Sequence, residues 1–151
     1  MRRALILFTG LGLVAQSPFA VKTTTPAGAQ KAPALVKVSG KVTQWVGGGV
    51  GRSPKEKPLN QATVVIGQDL QFQSGNTGMD TIRGQVAAKV LTDANGRWEA
   101  KVPAGTHTVI YWKAGYTPSI NNPLQAPGDH TGTISQDKQM QGLHRTLHLA
   151  K

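Results

Sequence analysis

From Leu35 onward, the sequence is divided into short segments in which apolar and polar residues alternate, with turn-forming residues between them. A period of two is typical of strands that bury one face, whereas an amphipathic helix places apolar residues three and four positions apart. Outside the N-terminal apolar run, no helical stripe is longer than two turns. The 18 glycines and 9 prolines also argue against a helical bundle or a coiled coil. The pattern therefore predicts an all-β fold.

Turn signals and strand signals alternate often enough to indicate an architecture. The sequence Asp93-Ala94-Asn95-Gly96 is a strong hairpin-turn signal, because Asn and Gly tolerate a positive φ. It is followed by an alternating segment in which Trp98 points into the core. Residues 68–85 and 117–142 have no sustained period, so we expect long loops there. About seven short strands joined by such turns predict an antiparallel β-sandwich.

The first 29 residues have the features of a secretory signal peptide. Two arginines precede an uncharged apolar run of 12 residues, 4–15, which is too short for a transmembrane helix of about 20 residues. Cleavage after Ala20 and cleavage after Ala29 both remain open, as does an N-terminal anchor that is never removed. A short linker follows at 30–34. We therefore expect a periplasmic or secreted chain of the cell envelope, with no stable membrane span after signal cleavage.

Five segments in register carry a family resemblance. In chain order they are V-S-G-K-V (38–42), K-P-L-N-Q-A-T-V-V-I (57–66), L-T-D-A-N-G-R-W (91–98), V-P-A-G-T-H-T-V (102–109) and K-A-G-Y (113–116). This order resembles the carboxypeptidase regulatory-like domain family, whose members are exported β-sandwiches of the transthyretin or prealbumin type. The resemblance covers about residues 36–149 and implies a prealbumin-like sandwich over 35–151. It implies an accessory module that helps proteins fold, dock or bind, and it carries over no catalytic motif.

The sequence departs from the family pattern in two loops and at one histidine. The loop 46–57 and the segment 68–85 are longer than the pattern requires, and His107 stands where the family usually has an aromatic residue. Loops on a rigid sandwich are the usual place for a binding site. These two insertions are therefore the first candidates for one.

The sequence offers no recognisable catalytic centre. Because it has no cysteine, it excludes a disulfide framework, a thiol nucleophile and a cysteine metal site. No serine lies in a G-x-S-x-G motif, and the seven acidic residues form no evident acid–base pair. His144 and His148 would lie roughly 13 Å apart along a strand, too far to chelate one ion together. We therefore predict no enzyme activity, no catalytic residue, no metal and no cofactor.

Three aromatic or aliphatic residues are candidates for contact with a partner. Ile110 and Trp112 point away from the core face of their strand, so they form either an apolar binding patch or a face that a segment such as 117–142 covers. Trp45 ends the first strand beside a glycine run and is a candidate for an exposed stacking residue.

The positive charge of the chain is concentrated near its beginning. Residues 31–57 hold six basic residues and one acidic residue, whereas residues 58–151 hold eight basic and six acidic residues. Basic side chains attract phosphate and carboxylate groups over long range. The candidate binding residues of this region are Lys37, Lys41, Arg52, Lys55 and Lys57.

The leading hypothesis is an exported, non-enzymatic binding or accessory module that docks onto another cell-envelope component, with a protein as the favoured partner. The alternative is a binder of an anionic envelope glycan through the basic first strand and loop. Nucleic acid is disfavoured, because no nucleic-acid-binding motif accompanies the charge. A small transthyretin-like hydrolase is a second alternative, although hydrolases of 5-hydroxyisourate end in Tyr-Arg-Gly-Ser and this chain ends in Leu-His-Leu-Ala-Lys.

Overall fold

A computed structural model describes residues 33–151 of the chain. The predicted signal peptide, both cleavage positions and most of the predicted linker lie outside the described residues. The described residues form strands and no helix, which confirms the prediction of an all-β fold, and they therefore offer no helical segment suited to crossing a membrane. The ten strands are β1 (Leu35–Val46), β2 (Lys55–Pro58), β3 (Thr63–Ser74), β4 (Met79–Leu91), β5 (Arg97–Pro103), β6 (Gly105–Trp112), β7 (Tyr116–Thr117), β8 (Ser119–Ala126), β9 (Gly128–Gln136) and β10 (Thr146–Leu149).

The strands form two five-stranded sheets that pack as a sandwich, as predicted. The first sheet has the order β2-β1-β9-β7, and β5 also pairs with β1. Along one edge, β1 pairs with β5 in its first half and with β2 in its second half, while β9 lies along its other edge. The second sheet has the order β10-β4-β3-β6-β8. The twelve-residue β1 therefore organises the first sheet.

Apolar side chains on the facing sides of the two sheets form the main core. Val38 and Val42 of β1 are fully buried and alternate with polar residues, which is the pattern of a strand with one buried face. Trp98 is buried as predicted, and its ring centroid lies 6.5 Å from that of Tyr111 in the opposite sheet. Full burial of each such side chain stabilises the fold by about 1.5–3 kcal/mol.

Strand number and strand direction differ from the prediction. Residues 117–142 were expected to be a loop, but they contain the end of β7 together with β8 and β9. β9 pairs with β1 in parallel, with Val38 opposite Gly128, and β10 pairs with β4 in parallel. These paired strands are far apart in the chain, so no hairpin turn imposes an antiparallel arrangement on them. The sandwich thus has ten strands rather than about seven, and its sheets are mixed.

The turn at Asp93-Ala94-Asn95-Gly96 forms as predicted but does not close a hairpin. Gly96 has a φ of +73°, and the Asp93 carboxylate accepts the amides of Asn95 and Arg97 at 2.8 and 2.9 Å. However, β4 pairs with β3 in the second sheet, while β5 pairs with β1 in the first. The turn therefore carries the chain from one sheet to the other.

The segment 68–85 is a strongly bent hairpin rather than the predicted loop. It forms the far ends of β3 and β4, and their register breaks between Ile66 and Gly67 and again between Gln68 and Gln71. Asp69, with a φ of +53°, and Gly84, with a φ of +124°, lie at the bend. A Cβ on Gly84 would lie 2.5 Å from the Asp69 carbonyl oxygen, so the close approach of the two strands requires glycine there.

Beyond this bend, the hairpin doubles back over the outer face of the second sheet. Trp112 lies opposite Thr63 at the start of β3, and Asp80 lies opposite Ser74 at its end. In a straight strand these positions would be separated by roughly 36 Å. Instead, the indole Nε1 of Trp112 donates to the Asp80 carboxylate at 2.8 Å.

The folded-back hairpin buries Ile110 and Trp112, so they do not form the apolar binding patch that was one of the two expectations. Ile110 packs with Leu70 and Ile82 from beyond the bend, and the side chains of β10 pack against the same cluster. The outer face is therefore covered, as the other expectation had it. The hairpin and β10 provide the cover, and residues 117–142 are not part of that cluster.

A buried ion pair links the folded-back hairpin to the chain just before β10. Arg145 contacts Asp80 through two guanidinium nitrogens and also donates to the hydroxyl of Ser74 at 2.9 Å. Burial raises the pKa of Asp80, but hydrogen bonds from Arg145, Trp112 and Ser74 and the charge of Arg145 outweigh it, so the pKa is lowered. The pair therefore stays ionised and connects three separate segments.

Candidate functional site

The two cations of the first strand lie among acidic groups on the outer face of the first sheet. Lys37 and Lys41 alternate with buried residues of β1 and are directed outward. The Lys37 Nζ lies 2.6 Å from the Glu99 carboxylate, and both side chains are 62% exposed. Such an exposed pair stabilises the fold by only about 0–1 kcal/mol. Ser39 donates to Asp129 at 3.0 Å on the same face, so acidic residues are interleaved with these cations.

The cations of the first loop point away from Lys37 and Lys41. Glu56 of β2 faces the outer side of the sheet, where its carboxylate accepts hydrogen bonds from Thr43 and Thr133. Because neighbours in a strand point to opposite sides, Lys55 and Lys57 are directed away from that face. The structure thus divides the five predicted basic residues between two surfaces.

A run of glycines forms the exit from β1. Gly47, Gly48 and Gly49 have φ values of +80°, +88° and +138°, which are conformations that L side chains rarely adopt. The Arg52 amide donates to the Gly49 carbonyl at 3.0 Å and closes the loop. The chain can therefore turn sharply here; the space beside Gly47 and Gly49 is open, and Pro54 lies beside Gly48.

Two open clefts flank the chain at residues 46–48, which line both of them. The first cleft, of about 460 Å³, has walls formed by Trp45, Ser135, Gln136 and Lys138. The second, of about 490 Å³, has walls formed by Arg52, Ser53 and Lys55. We call these residues, together with 46–48, the glycine-loop surface. It combines Trp45, Arg52 and Lys55 from the prediction, and excludes Lys37, Lys41 and Lys57.

The glycine-loop surface has one cation, Lys138, in the same cleft as Trp45 and two more, Arg52 and Lys55, in the cleft on the other side of residues 46–48. Trp45 is 49% exposed. Within residues 33–151, no ion pair involves Arg52, Lys55 or Lys138. Two carboxylates lie close to these cations. Glu56, directly opposite Trp45, accepts hydrogen bonds from two threonine hydroxyls, and Asp137 accepts the backbone amide of Gln139 at 2.9 Å, but neutral donors do not cancel the charge of a carboxylate. Chemically, this arrangement can bind an anion by charge-assisted hydrogen bonds and stack a ring against the indole.

Sequence reasoning missed the part of the surface that β9 contributes. Ser135, Gln136 and Lys138 come from a segment that was expected to be a loop, and the parallel pairing of β9 with β1 places them beside Trp45. A local signal was present, because residues 131–135 alternate between outward hydroxyl side chains and the buried Gly132 and Ile134. No local signal indicates that this strand would lie beside β1.

A second polar cluster lies inside the sandwich, around Tyr111 and His130. The Tyr111 hydroxyl is 2.5 Å from Nδ1 of His130, and the two rings are stacked with centroids 5.9 Å apart. Burial, with a smaller contribution from the charge of Asp129, raises the pKa of Tyr111. The phenol is therefore protonated and donates to Nδ1, which leaves the imidazole proton on Nε2. Burial lowers the pKa of His130, while the charge of Asp129 opposes the shift.

We expect acidification to weaken the fold through His130. A histidine whose pKa is lowered on folding stabilises the native state above its unfolded value of 6.5, and this contribution is lost as the pH falls toward the folded value. The free energy of unfolding, measured by urea titration between pH 8 and pH 5, should therefore decrease. In His130→Asn, the amide oxygen still accepts from Tyr111 but does not titrate, so the decrease should be smaller. An identical decrease in the variant would contradict the assignment.

The other histidines do not assemble a metal site. Nε2 of His107 donates to the Pro103 carbonyl at 2.7 Å, and His144 and His148 are exposed. Across residues 33–151, no group of three histidine or carboxylate side chains is placed to hold a metal ion.

Comparison with known proteins gives limited similarity. No protein-family model matches the sequence, and no curated protein matches it significantly. Among solved structures, the chain is similar to a DUF3823 family protein from Parabacteroides merdae ATCC 43184, with 18% sequence identity and a TM-score of 0.36. The match covers 71% of this chain and 47% of that protein, so the chain spans about half of its length.

Proposed function

We propose that this chain is an exported, non-enzymatic module of the carboxypeptidase regulatory-like type that docks onto another cell-envelope component through the glycine-loop surface. The observation that carries the proposal is the grouping of Trp45 with Arg52, Lys55 and Lys138 around two open clefts. Aromatic and arginine side chains are enriched where proteins bind, and within residues 33–151 the three cations form no ion pair.

Three further observations support parts of this proposal. The apolar run at 4–15 behind two arginines supports export. The five segments between residues 38 and 116 support the family resemblance. The absence of a nucleophile motif in the sequence supports binding rather than catalysis.

Retention by native cell-envelope fragments tests the proposal. We expect the mature chain to sediment with such fragments, and we expect Arg52→Glu combined with Lys138→Glu to reduce the bound fraction at least tenfold. Charge reversal at two sites places like charges where the partner is anionic, or removes donors where it is neutral. The matched control is Arg83→Glu combined with Lys89→Glu, which makes the same change in net charge at exposed residues of β4.

The control variant should sediment like the wild type. If both double variants lose retention equally, net charge rather than the glycine-loop surface governs the association, and the proposal fails. It also fails if the wild-type chain does not sediment with the fragments at all.

A further inference from the structure

We infer that the partner of the glycine-loop surface is an anionic glycan chain, with a sugar ring stacked on Trp45 and carboxylate or phosphate groups bound by Arg52, Lys55 and Lys138. This inference rests on the proposed function and specifies its partner. It reverses the order of the sequence-based hypotheses, which favoured a protein.

The surroundings of Trp45 suit a sugar better than an apolar side chain. Trp45 is half-exposed and lines a cleft together with Ser135, Gln136 and Lys138, whose side chains carry a hydroxyl, an amide and an ammonium group. The side-chain nitrogen of Gln136 donates to the side-chain oxygen of Gln141 at 3.3 Å. The side-chain oxygen of Gln136 accepts no hydrogen bond from residues 33–151. A sugar ring presents an apolar face for stacking and hydroxyl groups at its edge for such partners.

The layout of the cations suits a chain rather than a single small anion. Lys138 lies in the cleft on one side of residues 46–48, whereas Arg52 and Lys55 line the cleft on the other side. The backbone between the clefts is open at Gly47, where a Cβ would meet nothing within 4 Å, while Pro54 lies 3.5 Å from the corresponding position at Gly48. A polymer that passes over these glycines would therefore reach charged groups on both sides.

A protein or a bilayer fits the same surface less well. The cores of protein interfaces are depleted of lysine and enriched in large apolar residues, whereas the walls of these clefts are mainly glycine, serine, glutamine and cations. A bilayer would need apolar side chains to insert. Val50 is fully exposed at the loop tip, but a single valine offers little apolar area for insertion.

Fluorescence quenching of Trp45 tests the inference directly. Of the three tryptophans, Trp98 and Trp112 are buried, so acrylamide quenching of the intact chain mainly reports Trp45. We expect polygalacturonate, which carries carboxylates, or a phosphomannan, which carries phosphates, to protect Trp45 from acrylamide. The response to each polymer identifies which anionic group is recognised. Neutral dextran and poly-glutamate, which has charge without a sugar ring, should protect it at least tenfold less well at equal concentration.

Two variants separate stacking from charge. Trp45→Ala should weaken binding of the anionic glycan about tenfold by calorimetry. Lys138→Gln should also weaken binding, but at a saturating concentration of glycan its Trp45 should still be protected from acrylamide. Thermal unfolding verifies that each variant is folded. If Trp45→Ala were unfolded, Trp45→Phe, which keeps an aromatic ring, should bind within a few fold of the wild type, and Lys138→Gln would still report the charge contribution.

The outcomes distinguish this inference from the proposed function. Equal binding of poly-glutamate and the glycans would overturn the glycan assignment, and so would binding of vesicles of anionic phospholipid in preference to both glycans. If neither glycan binds but retention by envelope fragments still depends on Arg52 and Lys138, the docking module stands and the glycan inference falls. If retention does not depend on them, the proposed function itself falls.

Discussion

Replacing Arg145 by methionine is expected to lower the free energy of unfolding by about 3–5 kcal/mol, because it leaves a buried carboxylate without its cation. Asp80 is only 3% exposed, and after the substitution it retains the hydrogen bonds from Trp112 and Ser74 but loses those from the guanidinium. Urea denaturation followed by tryptophan fluorescence measures the loss. Trp112 should become more accessible to quencher as well, since its indole bonds to the same carboxylate.

The same substitution should reduce the effect of pH at Asp80. In the wild type the pKa of Asp80 is lowered, so its contribution to stability is present above the unfolded value of 3.8 and is lost as the pH falls through the folded value. Without Arg145, only the hydrogen bonds from Trp112 and Ser74 oppose the effect of burial, so the pKa of Asp80 is lowered less and the ionised carboxylate contributes less to stability. The deficit of Arg145→Met relative to the wild type should therefore be smaller at pH 4 than at pH 7.

Two control variants test whether the unpaired buried charge causes the loss of stability. Lys37→Met removes the exposed pair with Glu99 and should cost about 0–1 kcal/mol. Adding Asp80→Asn to Arg145→Met removes the unpaired charge and should restore part of the lost stability. If Arg145→Met costs no more than Lys37→Met, or if its deficit does not change with pH, the buried pair does not fasten the hairpin as described.

The extent to which the sequence predicts this fold depends on how local each signal is. Alternation predicts β1, β5 and β6 correctly, and it assigns Trp98 to the core, because the two faces of a strand differ within a few residues. The turn at Asp93-Ala94-Asn95-Gly96 is also correctly predicted, since Asn and Gly fix its local geometry. The sequence does not predict that this turn joins two different sheets, because the strands that pair with β4 and β5 lie elsewhere in the chain.

What the sequence does not predict arises from pairing across long separations. Trp112 is buried by residues from distant parts of the chain. Its indole bonds to Asp80, 32 residues away, and Asp80 in turn pairs with Arg145, 65 residues further along. The same holds for the candidate site. Trp45 is identifiable as an exposed aromatic, whereas Lys138 joins it only because β9 pairs in parallel with β1. Alternation shows that a strand has a buried and an exposed face, but it does not show which strand lies beside it.

Gly132→Ala is expected to lower the free energy of unfolding by about 3 kcal/mol, at the upper end of the cost of overpacking a core. Gly132 lies in β9 and faces the core, and its Cβ would lie 2.0 Å from Cε2 and 2.6 Å from Cζ of Tyr111. The Tyr111 ring is fully buried between Trp98 and His130, and its hydroxyl is bonded to His130. The ring therefore cannot move aside without breaking that hydrogen bond. Thermal or urea unfolding measures the cost.

A neighbour and a double variant show whether the Tyr111 ring is the cause. Thr131→Ala changes the adjacent, exposed residue of β9 and should alter stability by no more than about 0.5 kcal/mol. Tyr111→Leu should create room for the new methyl group, so the double variant with Gly132→Ala should be more stable than the sum of the two single losses by at least about 1 kcal/mol. Additive losses would mean that the alanine is strained for another reason, and that the packing of Tyr111 is not what requires a glycine at position 132.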